Sequence, residues 1–175
     1  INAFTARVAA HGLSGGMTVT HGFALAGADA AEFETTAAAM AKAGVSLATH
    51  GGGGSPPPPV KMLRERGVEV FAGNDNVRDL WSPYGDGDML ERAMLLAWRS
   101  GFRNDPDLAV ALDCAGAAGA RALGLTGHGL EPGCCADLFT VMAETPAEAV
   151  VSRPRRPLVM KNGRIVATDG AVVSN

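Results

Sequence analysis

The chain has 175 residues, 47% of them hydrophobic, which is enough for one or two small domains with a real core. A net charge of −3 with scattered Lys and Arg excludes the basic footprint of a nucleic-acid binder, and no apolar run is long enough to span a membrane. Three cysteines, Cys114, Cys134 and Cys135, show no CxxC spacing and point to a reduced, cytoplasmic protein.

Residues Ile1 to Ala10 read as a helix already under way, with Phe4 and Val8 on one face, which predicts that the chain is part of a longer polypeptide. Gly12, Gly15 and Gly16 mark a turn, and Met17 to His21 reads as a short strand. Asp29 and Glu32 form a capping-box pattern opening a helix to about Ala43, with Phe33, Ala37 and Met40 on its inner stripe. Gly44 closes that helix, and Val45 to Thr49 is a second apolar strand ending at His50. The run Gly51-Gly52-Gly53-Gly54-Ser55 before four prolines could be a flexible linker. However, strand and helix alternate on both sides of it, so a strand-end loop that lets backbone approach a ligand is the better reading. A short helix from about Val60 to Arg66 ends at Gly67, and Val68 to Gly73 is the third strand.

Strand and helix alternating at this spacing predict βαβ units and a parallel sheet. Beyond it, Asp88 and Glu91 cap a helix to about Ser100, with Leu90, Met94 and Trp98 spaced four apart. Asp105 and Pro106 are an N-cap and first-position pair for another helix, to about Ala122. Short β segments follow at Gly133 to Val141, Leu158 to Lys161 and Arg164 to Thr168, with Asn162-Gly163 as a hairpin turn. The basic turn at Arg153, Arg155 and Arg156 reads as a solvated surface feature. The fold class is therefore α/β, with a parallel part over residues 1–125 and a β segment over 126–175.

The candidate chemistry gathers at strand ends. His21, His50 and Asp75 each follow a predicted parallel strand, so one rim would carry two imidazoles and a carboxylate. Such a set suits zinc, iron or a water to be deprotonated. After Asp75 comes a loop that concentrates the chain's aromatics and carboxylates, Asn76 to Asp88. Trp81 and Tyr84 could wall a planar ligand or simply pack the loop. Asp79 and Asp86 shape the turn, because the run lacks the spacing and terminal glutamate of a calcium-binding EF-hand. His128, near Cys134 and Cys135, matches no zinc spacing, and His11 at a helix end is given no role.

The segments VTHGF, SLATH, FAGNDNVRDLWSPYGDGDML, ARALGL and EPGCCADLFTV, in this order and spacing, resemble the C-terminal half of cytosine deaminase-like members of the amidohydrolase superfamily. The resemblance implies the C-terminal part of a (β/α)8 barrel followed by part of a small β-sandwich. Thr18 to His21 would be strand six, Ser46 to His50 strand seven and Val70 to Asp75 strand eight. It implies that Asp75 binds a catalytic divalent metal, zinc or iron, and takes a proton from its water. His21 would steer that water, and Trp81 would line the pocket. Asn76 stands where the cytosine enzyme has a second aspartate, and Arg78 where it has an aromatic. Both would face the substrate with His50, so the ring could equally be a pterin, a purine or a triazine.

The implied reaction is hydrolytic deamination of a small heterocycle, with no nucleic acid or membrane partner and a homo-oligomer left open. The family's HxH pair, strand-five histidine and nearby glutamate are not in this chain. They would lie in a missing N-terminal part of the same protein, so these residues alone are expected to be inactive. The competing readings are a non-catalytic α/β small-molecule-binding module and a degenerate amidohydrolase. The proline-rich loop lacks the backbone donors and GK[ST] sequence of a phosphate cradle, which weighs against the first; the presence of both Asp75 and His21 weighs against the second.

Overall fold

The three apolar runs pair side by side. In the computed structural model, which describes residues 1–173, β1 (Met17–Thr20), β2 (Val45–Thr49) and β3 (Val70–Ala72) form one parallel sheet in the order β1-β2-β3. Met17 lies opposite Val45 and Thr20 opposite Ala48, while Thr49 lies opposite Ala72. The middle strand is the most enclosed: Val45, Ser46, Leu47 and Thr49 are all buried. The buried Ser46 hydroxyl is satisfied by the Thr18 hydroxyl across the strand pair at 2.7 Å.

Parallel neighbours need crossover connections, and helices supply them. Helix α1 (Asn2–Ala10) precedes the sheet and buries Thr5 and Val8, with Phe4 only half-buried. Helix α2 (Ala30–Ala43) opens as expected, with the Asp29 carboxylate accepting from the Glu32 amide at 2.8 Å, and buries Phe33, Ala37 and Met40. It stops at Gly44, where φ is +60° and an added Cβ would stand 2.7 Å from the Gly15 nitrogen. Helix α3 (Val60–Glu65) follows the proline run. Met40, Leu47, Leu63 and Leu96 are among the largest fully buried side chains, so the core lies between the sheet and its helices.

Helix α4 (Met89–Arg99) is capped by Asp88, which accepts from the Leu90 amide at 2.8 Å. Its buried face differs from the expected four-residue stripe: Leu90, Ala93, Leu96 and Ala97 face inward, and Trp98 is 67% exposed. A helix turns 3.6 residues per cycle, so a strict four-residue spacing drifts about 40° at each step and leaves the core face by Trp98.

The helix expected from Asp105 to about Ala122 is two helices. The side chain of Asn104, not Asp105, caps α5 (Asp105–Ala115) by accepting from the Asp107 amide at 3.0 Å. Gly116, at φ −128° and ψ −106°, then breaks the axis before α6 (Ala117–Ala122). A network of Arg64, Arg121, Glu69 and Asp113 joins α3, the residue before β3, α5 and α6 at the end of the sheet away from His21, with Arg64–Asp113 at 2.6 Å and Arg121–Glu69 at 2.8 Å. Partial burial works against the Asp113 carboxylate, but hydrogen bonds from Arg121 and Arg64 hold it below its usual range.

The remaining strands form an antiparallel sheet in chain order: β4 (Leu138–Phe139), β5 (Leu158–Lys161), β6 (Arg164–Thr168) and β7 (Ala171–Val172). Asn162 and Gly163 make the β5–β6 turn, both at positive φ. The segment expected as a strand from Gly133 to Val141 is one only at Leu138–Phe139, with an isolated bridge between His128 and Cys135 before it. Helix α7 (Pro146–Ser152) is an addition to the expectation. Thr145 caps it by accepting from the Glu148 amide, and Val150 is fully buried in the main core. The basic turn is not wholly solvated either. Arg156 pairs with the Asp88 carboxylate and lies 5.7 Å over the Phe139 ring. Among the described residues, no helix is long and apolar enough to cross a membrane.

Candidate active site

Each parallel strand delivers one polar residue to the same rim. His21 follows β1, His50 follows β2 and Asp75 stands three residues after β3. Their candidate ligand atoms all lie within 4.8 Å of one another. The His21 amide donates to the Ala48 carbonyl at 2.7 Å, and the Gly73 amide donates to Thr49 at 3.0 Å. These bonds extend the ladder just past the strands and set the placement of all three residues.

His21 and Asp75 both sit in the left-handed region, at φ +65° and +60°. That conformation is uncommon away from glycine, although Asp and His adopt it more readily than most residues. Gly22 continues the turn at φ +62°, and a Cβ there would reach within 2.5 Å of the Leu47 side chain. The His21 ring is stacked on Phe23, with centroids 5.3 Å apart, and meets His50 edge-on. Its Nδ1 is buried and has no hydrogen-bond partner.

His50 is anchored differently. Its Nδ1 accepts from the Gly52 amide at 3.3 Å, which leaves Nε2 as the proton-bearing nitrogen of the neutral ring. Burial lowers its pKa, the Asp75 charge opposes that shift, and the cationic neighbours Arg92 and Arg99 add to it. Neutral imidazole is the form that coordinates a metal or donates one hydrogen bond.

The loop after Asp75 is internally tied. The Asp79 carboxylate accepts from the Trp81 and Ser82 amides at 2.8 and 2.9 Å, and the Asn76 side-chain amide donates to it at 2.5 Å. The Asn76 hydrogen bond, followed by the two backbone amides, holds the Asp79 carboxyl below its usual range. Asp86 shapes the far end of the loop by accepting from the Asp88 amide at 3.0 Å.

His21, His50, Asp75, Asn76 and Trp81 together line one open cleft of about 1360 Å³. Arg78, at φ +47°, lies outside that lining, and its amide donates to the Tyr84 carbonyl at 3.0 Å. Sequence reasoning missed Phe23 beside His21 and the contribution of α4, including Arg92 and Trp98. Phe23 had a legible signal, two residues after a candidate histidine. Arg92 and Trp98 depend on which way α4 faces, which periodicity misjudged.

The fold and site define an α/β protein whose parallel strand ends gather a set of side chains competent to hold a metal ion. Residues 1–167 match the amidohydrolase family, and the chain belongs to that family. It is 30% identical over 175 residues to N-isopropylammelide isopropyl amidohydrolase of Pseudomonas sp. (strain ADP), covering 99% of this chain and 43% of that protein. Among solved structures it resembles N-isopropylammelide isopropylaminohydrolase from Burkholderia multivorans ATCC 17616, with a TM-score of 0.94 and 47% identity, covering 97% of this chain and 43% of the other. It also shares the fold of 5-methylcytosine deaminase from Klebsiella pneumoniae, with a TM-score of 0.85 and 21% identity, covering 99% of this chain and 46% of that one. The chain thus spans less than half the length of the relatives it matches.

Proposed function

We propose that this chain is the C-terminal part of a metal-dependent hydrolase that releases ammonia or an amine from an amino-substituted nitrogen heterocycle, with a triazine as the favoured ring. The convergence of His21, His50 and Asp75 at the ends of parallel strands carries this reading. Residues 1–125 would contribute strands six to eight of a (β/α)8 barrel and residues 126–175 part of a β-sandwich. The likeness, at 30% and 47% identity, to two relatives named for N-isopropylammelide, whose ring is a triazine, supports the ring class.

Asp75 offers a carboxylate that fits a divalent metal, with the buried, unpartnered nitrogen of His21 beside it, while His50, its Nδ1 accepting from Gly52, keeps Nε2–H as a donor. Zinc or iron bound there would make hydroxide available at neutral pH by lowering the pKa of a coordinated water. Asp75 would hold the metal and accept the proton given up by the attacking water. His21, fixed by Phe23, would orient that water and stabilise the charge that develops on the ring. His50 would donate from Nε2 toward the substrate, because its Nδ1 is occupied by the Gly52 amide.

Asn76 decides which rings are welcome. One N–H of its side-chain amide bonds Asp79, which fixes the group so that its carbonyl oxygen can accept from the substrate. A neutral acceptor suits the N–H of a lactam-type ring such as an oxidised triazine. Trp81 and Tyr84 would cover the ring face, with Arg78 at the loop's outer edge. The acid that protonates the leaving nitrogen, and the remaining metal ligands, would come from the rest of the protein, so these residues alone would not turn over.

The test is a substrate panel on the metal-loaded full-length protein, comparing an N-alkylamino-dioxotriazine, cytosine and an aminopterin by amine release. Turnover of the triazine well above cytosine supports the proposal. Release of amine from none of these rings would overturn it.

A further inference from the structure

Arg92 occupies a position where an aliphatic side chain would be expected. It lies on the core face of α4 between Leu90 and Ala93 and is 6% exposed. Its guanidinium carries five N–H donors, and they find little here. Nη1 reaches the His50 carbonyl at 3.4 Å, the Glu91 carboxylate lies 3.7 Å from Nη2, and Nε is buried with no partner. A buried charge so poorly satisfied is unfavourable, and an apolar residue of similar volume would pack without that penalty. Packing is therefore not the reason for an arginine.

Its surroundings indicate another. The guanidinium lies between two strand-end loops, and both present glycine to it. A Cβ on Gly52 would stand 3.6 Å from Nη1, and one on Gly85 would stand 3.1 Å from Nη2. Gly85 also lies against the Asn76 carbonyl, 3.5 Å from where its Cβ would be. One loop carries His50 and the other carries Asn76 and Trp81. Arg92 bonds the first loop through the His50 carbonyl and stands beside Gly85 of the second.

We propose that Arg92 is a positioning residue that locks the loop after β2 to the loop after β3, and so sets the spacing between His50 and the Asn76–Trp81 segment across the substrate. This extends the hydrolase reading, but its structural half stands independently of it. A guanidinium suits the task because its planar fork can bond in two directions at once, whereas an ammonium is a point donor.

The experiment uses the full-length, metal-loaded protein with Arg92→Met and Arg92→Lys, read by hydrogen–deuterium exchange and by steady-state kinetics. In Arg92→Met, peptides covering residues 50–59 and 74–88 should both exchange about tenfold faster or more, with residues 158–168 unchanged. KM should rise by about tenfold with a smaller fall in kcat, since substrate positioning is lost rather than chemistry. Arg92→Lys should restore only part of both effects, and it carries the same two readouts if Arg92→Met does not fold. Wild-type exchange in either loop, or a loss confined to kcat, overturns the proposal. If the wild-type protein releases no amine from any heterocycle, the hydrolase reading falls while the exchange result still decides the locking role.

Discussion

The His21 ring meets the His50 ring edge-on, with centroids 5.4 Å apart and planes at 82°. The two residues are 29 positions apart and reach each other only because β1 and β2 are parallel neighbours in register. Phe23 contacts both rings, stacked on His21 and edge-on to His50 at 6.0 Å, so the three rings pack together as one wall of the cleft. Asp75 completes the group from the third strand.

Removing the Asp75 charge should abolish function while leaving the fold in place. Asp75→Asn keeps the shape and tolerates the left-handed backbone at φ +60°. In the full-length protein, kcat/KM for the preferred heterocycle should fall by about 10²–10⁴-fold, the scale of a lost general base. Bound metal per protomer, measured by elemental analysis, should fall with it. Full metal content together with full turnover would remove Asp75 from the mechanism.

Gly51 is a point where the site and the core meet. Its φ is +66°, and an added Cβ would lie 3.0 Å from the Leu96 nitrogen in the backbone of α4. Backbone cannot swing aside as a flexible side chain can. Gly51→Ala should therefore destabilise by about 1–3 kcal/mol, seen as a lower urea midpoint. Gly54→Ala, where nothing lies within 4 Å of the new atom, is the control and should change the midpoint little.

Asp79 should report on the loop through pH. Its folded-state pKa lies below the ordinary aspartate value of about 4, because Asn76 and two backbone amides bond the ionised form. Its contribution is thus complete above that ordinary value and is lost as pH falls through the depressed one. Near neutral pH, Asp79→Ala should loosen the segment from Asn76 to Tyr84, raising its amide exchange and the KM for the heterocycle. Unchanged exchange at the Trp81 and Ser82 amides would show that the carboxylate does not hold the loop.

The cysteines should separate by reactivity. Burial raises the Cys114 pKa, with Arg64 opposing the shift, and the thiol is enclosed under α3 and α5, whereas Cys135 is exposed. Iodoacetamide at mildly alkaline pH should modify Cys135 in the native protein and Cys114 only after denaturation. Rapid native labelling of Cys114, read by peptide mass, would contradict its burial.

Much of this was legible in the residues because the signals are local. Asp29 announced α2, Gly44 and Gly67 ended helices, and three apolar runs ended in His21, His50 and the Asn74-Asp75-Asn76 segment. Even the missed α7 carries a local sign, the Thr145-Pro146-Ala147-Glu148 start, which the surrounding β texture concealed. The errors fell where a choice depended on a distant partner. Trp98 looked like core by spacing and is exposed, and Asn104 took the cap expected of Asp105. The arginine on α4 passed unremarked, since nothing nearby in sequence shows that it would be buried.

Composition, breakers and period determined that the chain is α/β, roughly where its three parallel strands end, and which side chains follow those ends. The tertiary structure decided that these ends meet. Parallel pairing across β1, β2 and β3 gathers His21, His50 and Asp75 within 4.8 Å, and the facing of α4 puts Arg92 beneath the loops that flank them. The division has a physical cause. Propensity and capping act over a few residues of chain, whereas proximity and burial are set by contacts between segments tens of residues apart.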